Sequence, residues 1–146
     1  MEDNKLTLEQ KFENQRKTYT NEIVAGIQLL KSIKTLTEAK VLFLSLRQRV
    51  LEDNHTIIEN YNKFSRKYRE LKSSKLLDIS TNMQVRLNER EKEKFLDGMP
   101  DLSKLKAATE TLDAQSKFLS ETMKTVDQIL FGMKSRIDVE KLLMGI

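Results

Sequence analysis

The sequence predicts an all-α protein built from a few long amphipathic helices, and three observations carry that prediction. Chain breakers are scarce: 146 residues contain four glycines and one proline, far short of what the turns of an α/β or all-β domain would use. Charged residues make up 33% of the chain against 38% hydrophobic, a mixture that suits long helices with a solvated face. Apolar residues also recur at spacings of three and four along most of the chain, the period of one helical face. The length fits a single helical domain, residues 1–146, with enough chain for a core.

The first segment, residues 1–35, holds a helix that starts near Leu8, because Thr7 and Gln10 form a capping-box pair. Leu8, Phe12, Tyr19, Ile23, Ile27 and Leu30 then share one face. Thr35 and Glu38 repeat the capping spacing, so a second helix begins there and folds back as an antiparallel helical hairpin. Its opening, Val41-Leu42-Phe43-Leu44-Ser45-Leu46, alternates nearly as a strand would. The helical period of its flanks and the lack of turn signals favour helix. Ile57, Tyr61, Phe64, Tyr68 and Leu71 continue as an a/d seam, and Asn54 interrupts it between Val50 and Ile57. A polar residue at such a position fixes register or oligomer state. The middle helical region spans residues 36–96. Ser73-Ser74 is a weak point in it, Leu76, Leu77, Met83 and Leu87 carry the helical pattern on, and the charged run from Asn88 to Lys94 reads as a solvated helix end.

Residues 97–101, Asp97-Gly98-Met99-Pro100-Asp101, form the clearest break. A coiled-coil-like C-terminal helix over 102–144 follows. Leu102, Leu105, Thr109, Leu112, Ser116, Leu119, Met123, Val126, Leu130, Met133 and Ile137 alternate by three and four without an error. At about 1.5 Å per residue this helix reaches about 60 Å, twice the roughly 30 Å expected of a compact domain this size. Its seam therefore needs the second helix, copies of itself, or both. An oligomer is expected, with Leu105, Leu112, Leu119, Met123, Val126, Leu130, Met133 and Ile137 as its seam.

Composition argues against an enzyme. The chain has no cysteine and a single histidine, His55, so thiolate chemistry and histidine metal sites are absent. The glycines at 26, 98, 132 and 145 are isolated and make no phosphate loop. Neither a metal nor a cofactor is implied. The segment Met1 to Lys5 is acidic and lacks the apolar stretch of a signal peptide. The longest apolar run, Val41 to Leu44, is too short to span a membrane. A soluble, cytoplasmic protein is expected.

The segment from Lys63 to Lys75 carries the one constellation with a chemical meaning. Lys63, Arg66, Lys67, Arg69, Lys72 and Lys75 face one acid, Glu70, with Tyr61, Phe64 and Tyr68 interleaved. Lysine and arginine neutralise phosphates, and aromatic rings stack unpaired bases. Tyr68 is the candidate stacking residue and the six cations are candidate phosphate contacts. The same aromatics occupy the hydrophobic seam, so a core role competes with the stacking role. Arg86, Arg90, Lys92 and Lys94 are offset by Glu89, Glu91 and Glu93. Lys134 and Arg136 suit the end of a helix, whose dipole favours cations.

Two stretches, Glu38 to Lys75 and Leu112 to Leu143 with Lys134-Ser135-Arg136 before Ile137 and Leu142, resemble the phage recombination mediator proteins of the UvsY type. Ser73-Ser74 stands where that family has a tyrosine pair followed by glycine. The resemblance implies a non-catalytic homo-oligomer, ring-like, that binds single-stranded DNA in the host cytoplasm. It also implies help in loading a RecA-type recombinase onto strands coated by single-strand-binding protein. The alternative from the heptad register alone is a coiled-coil structural or adaptor protein acting through protein–protein contacts.

Overall fold

A computed structural model describes residues 6–82 and 86–145. The expectations placed on Met1 to Lys5 and on Met83 fall outside the described residues. Within them there are four α-helices, one short 3-10 turn and no strand: α1 Leu8–Leu29, the turn Ile33–Thr35, α2 Leu36–Asn82, α3 Glu89–Asp97 and α4 Pro100–Leu143. The all-α class and the long helices hold. Tertiary contacts divide the chain into two units, one running to Thr56 and resuming at Gln115, the other Ile57–Ala114.

The first unit is a three-helix arrangement of α1, the start of α2 and the later part of α4. Thr7 caps α1 as expected: its hydroxyl accepts from the Gln10 amide at 3.2 Å, and the Gln10 side chain accepts from the Thr7 amide at 2.9 Å. Phe12, Tyr19 and Gly26, seven apart, form the buried line of α1. α2 answers with Ala39, Phe43, Leu46 and Val50, all fully buried. Val41 and Leu44 stay exposed, so the ambiguous run resolves as helix with one face in the core. Gly26 faces Phe43 and Leu42 of α2 at close range. A Cβ there would stand 2.5 Å from Cζ of Phe43, a ring with no exposed surface to move into.

Thr35 does not cap α2. Its hydroxyl donates back to the carbonyls of Leu29, at 2.5 Å, and Ser32, at 3.1 Å. It thereby satisfies the open end of α1, while Ser32 caps the 3-10 turn through the Lys34 amide. Arg136 of α4 completes that end by donating to the Leu30 carbonyl. The cation read as a response to its own helix dipole thus closes a different helix, one with no basic residue in its last turn.

The α4 seam is used differently from the expectation. Leu112, Leu119, Val126 and Met133, one heptad column, are buried within the single chain. Leu105, Met123, Leu130 and Ile137 are only half-buried. Beside the buried column lie Gln115 and Thr122 rather than Ser116 and Met123. In the first unit α4 has two neighbours, so its buried face is turned toward α1 and is wider than a two-helix seam. Leu119 and Val126 are consumed inside the chain and are not surfaces that a copy could grip.

In the second unit, α2 passes Ser73-Ser74 without a break and ends at Asn82. The charged run is not the end of that helix. Asn88 starts a new one, its Oδ1 accepting from the Glu91 amide and its Nδ2 donating to the Glu91 carboxylate, both at 2.8 Å. Leu96 of α3, Ile79 of α2 and Leu102 of α4 form a small core, with Tyr68, Leu71, Leu87 and Met99 packed against it. The break at 97–101 is real but shorter than expected, because Pro100 already occupies the first position of α4, where its missing amide and fixed φ are suited.

Candidate nucleic-acid interface

All seven candidate residues lie on α2 within the second unit. A helix turns about 100° per residue, which places Arg69, Arg66, Lys63 and Lys67 at about 80°, 140°, 200° and 240° from Tyr61. Lys72, Lys75 and Tyr68 fall at about 20°, 320° and 340° on the same scale. Burial separates the same two groups: the first four are exposed, the last three half-buried. The basic segment is therefore an outer cationic face and a separate inward row, not one stripe.

Members of the inward row already have partners. Lys72 lies 3.5 Å from the Glu93 carboxylate of α3 and over the Tyr68 ring at 5.9 Å from its centroid. Tyr68 packs against the Ile79, Leu96 and Leu102 core. Phe64 carries Lys67 over its ring at 5.6 Å, which leaves the ammonium on the surface and its stem on apolar area. The competition between core and stacking thus has a mixed outcome, since Tyr61, Phe64 and Tyr68 all keep part of their surface in solvent.

Beside Tyr61 and Tyr68, α2 and α4 leave an open groove of about 350 Å³. Tyr61, Ser65, Tyr68 and Arg69 line it from α2, and Lys106 and Thr109 from α4. A neighbouring hollow of about 300 Å³ shares Tyr68 and Lys106 and adds Ser103 and Ala107. Thr109 beside the two tyrosines, and Ala107 in the hollow it shares with Tyr68, leave gaps that larger side chains would fill. Glu110 lines both. Lys106 has one cation near it in sequence, Lys104, too few to mark a basic run, and only tertiary packing brings it to the groove that Arg69 lines.

The first unit holds a polar cluster that is structural. Gln115 has no exposed surface and is satisfied by α1: its amide donates to Gln15 at 2.7 Å and to the Phe12 carbonyl at 3.5 Å, and it accepts from Arg16 at 2.8 Å. Tyr19 donates to Asp53, which also accepts from Gln15 at 3.0 Å. Burial, and then the Asp53 carboxylate, push the Tyr19 hydroxyl well above its ordinary value of 10.0. Asn54 and Ser116, the polar members of two seams, meet at 2.9 Å. These bonds fix the register of three helices rather than aim at a ligand.

Among the described residues, no group of three or more His, Cys, Asp or Glu side chains could hold a metal ion, and no helix is long and apolar enough to cross a membrane. Compared with protein-family models, curated proteins and solved structures, the chain matches none of them.

Proposed function

We propose that this protein is a non-catalytic, single-stranded-DNA-binding accessory factor of homologous recombination, acting as a homo-oligomer in recombinase loading. The observation that carries the reading is the outer face of α2, where Lys63, Arg66, Lys67 and Arg69 are exposed. Four cations around Glu70 on one rigid helix are suited to a phosphate backbone and release counterions when they meet it. Repetition of a weak face in an oligomer would add avidity without strong individual contacts. The resemblance to the UvsY type supports the recombination role, including a RecA-type recombinase and a single-strand-binding protein as partners.

The test is fluorescence anisotropy of a labelled single strand, titrated at several salt concentrations beside a duplex. Preference for the single strand with a steep fall in salt supports the reading. Arg66→Ala, Lys67→Ala and Arg69→Ala combined should weaken binding and reduce the log–log salt slope by about 2, at about 0.7 per phosphate contact on single strands. Absence of binding at low salt refutes it.

A second reading, a helical scaffold that binds another protein, is favoured by a different surface. Val41, Leu44 and Leu51 lie along the outer side of α2 at 63%, 48% and 46% exposure, and Phe131 of α4 is 73% exposed. This surface, rather than the buried column of α4, is where such a partner would bind. A protein recovered in stoichiometric amount after nuclease treatment, and lost with Leu44→Asp, would favour the scaffold.

A further inference from the structure

We infer that the groove between α2 and α4 in the second unit is a base-stacking subsite for single-stranded DNA, with Tyr61 and Tyr68 as the platform and Arg69 and Lys106 as phosphate contacts. The inference rests on the nucleic-acid reading above and assigns the bases, where that reading assigned only the backbone.

Tyr61 and Tyr68 are seven residues apart on one face of α2, so both rings border the same groove. They keep part of their surface in solvent although apolar seam positions of this kind are usually closed by the opposite helix. Thr109 is too small to close it, and the space of about 350 Å³ falls within the roughly 300–1,000 Å³ range of small-ligand sites. Its chemistry matches one class of occupant. Flat rings accept any base face, which gives binding without sequence preference. Cations stand on both walls, Arg69 on α2 and Lys106 on α4, and Arg69 joins the groove to the outer cations at Arg66 and Lys63. A strand tracking that outer face can turn its bases inward at Arg69. Glu110 is the acidic residue of the lining and repels phosphate, so the backbone runs on the Arg69 side. A duplex, whose bases are already stacked, cannot use the platform.

The test compares two ligands on the full-length chain: an oligothymidylate and an abasic oligonucleotide of equal length, which keeps the phosphates and lacks the bases. The wild type should bind the oligothymidylate about tenfold or more tighter, the order of one base–aromatic stack. Tyr61→Leu should reduce that preference severalfold, leaving what Tyr68 alone supplies, while leaving abasic binding unchanged. Tyr61 is chosen because it lies outside the small core that Tyr68 supports. Lys106→Ala should weaken binding to both ligands, and a circular-dichroism melt shared with wild type confirms that each variant folds. The chain has no tryptophan and three tyrosines, one of them the buried Tyr19. Quenching of tyrosine emission by the oligothymidylate and not by the abasic strand therefore reports the groove directly. Equal binding of the two ligands by wild type, or a base preference undiminished by Tyr61→Leu, overturns the subsite and leaves the outer-face reading standing. Failure of wild type to bind either ligand overturns both.

Discussion

At the scale of single residues, polar side chains inside the first unit decide which surfaces meet. Tyr19 is 4% exposed and donates to Asp53, so the folded chain holds its phenol proton more tightly than the unfolded chain does. A raised folded value means that the contribution is complete below the ordinary value of 10.0 and fades as pH climbs above it. Tyr19→Phe should therefore be less stable than wild type at neutral pH by about 1–3 kcal/mol, a hydrogen bond to a charged acceptor. The gap should narrow between pH 10 and pH 12, read by urea denaturation of both proteins across that range. A gap that stays constant would mean that the proton plays no part. Asn54 and Ser116 make a second case. Asn54→Leu strands a half-buried hydroxyl and should cost about 1 kcal/mol, most of it recovered by adding Ser116→Ala. A double-mutant cycle with no coupling would show that the bond is not made in solution.

At the scale of elements, capping rather than hydrophobicity sets several boundaries. α3 has nine residues, too few to persist on propensity alone, and it is held by the Asn88 cap and by Leu96 in the small core. Asn88→Ala should cost about 1 kcal/mol, and the loss should be local. Hydrogen exchange of the amides from Glu89 to Asp97 should speed up while those of α1 stay protected. Uniform acceleration would mean that the two units unfold together. The charged run from Asn88 to Lys94 begins a helix where the sequence predicts the end of one, because alternating charge suits a helix end and a capped beginning equally well. Asn88 and Glu91 have the spacing of a cap pair, which is the local signal for the beginning. At the start of α2 the reverse holds. Thr35 and Glu38 have capping spacing, but the carbonyl of Leu29 offered the Thr35 hydroxyl a better acceptor once the hairpin closed.

At the scale of the whole molecule, the burial of one α4 column within the chain changes what a seam mutation tests. Leu119 has no exposed surface, so Leu119→Asp places a charge in the core of a single chain. It should lower stability by at least about 3 kcal/mol and act on folding before assembly. A circular-dichroism melt that is unchanged while the mass by light scattering falls would return Leu119 to an intermolecular seam. By itself the sequence determined the all-α class, the α1 cap, the long helices and the break at Gly98 and Pro100. Those follow from periodicity and local hydrogen bonding, which act within a few residues. Only the tertiary structure decided which face of α4 is buried, that Arg136 closes α1, and that Lys106 stands across a groove from Arg69. It also divided the basic segment into an outer face and a partnered inward row. Such choices depend on how many neighbours a helix packs against and on which small residues lie opposite large ones, and that information is spread across residues far apart in the chain.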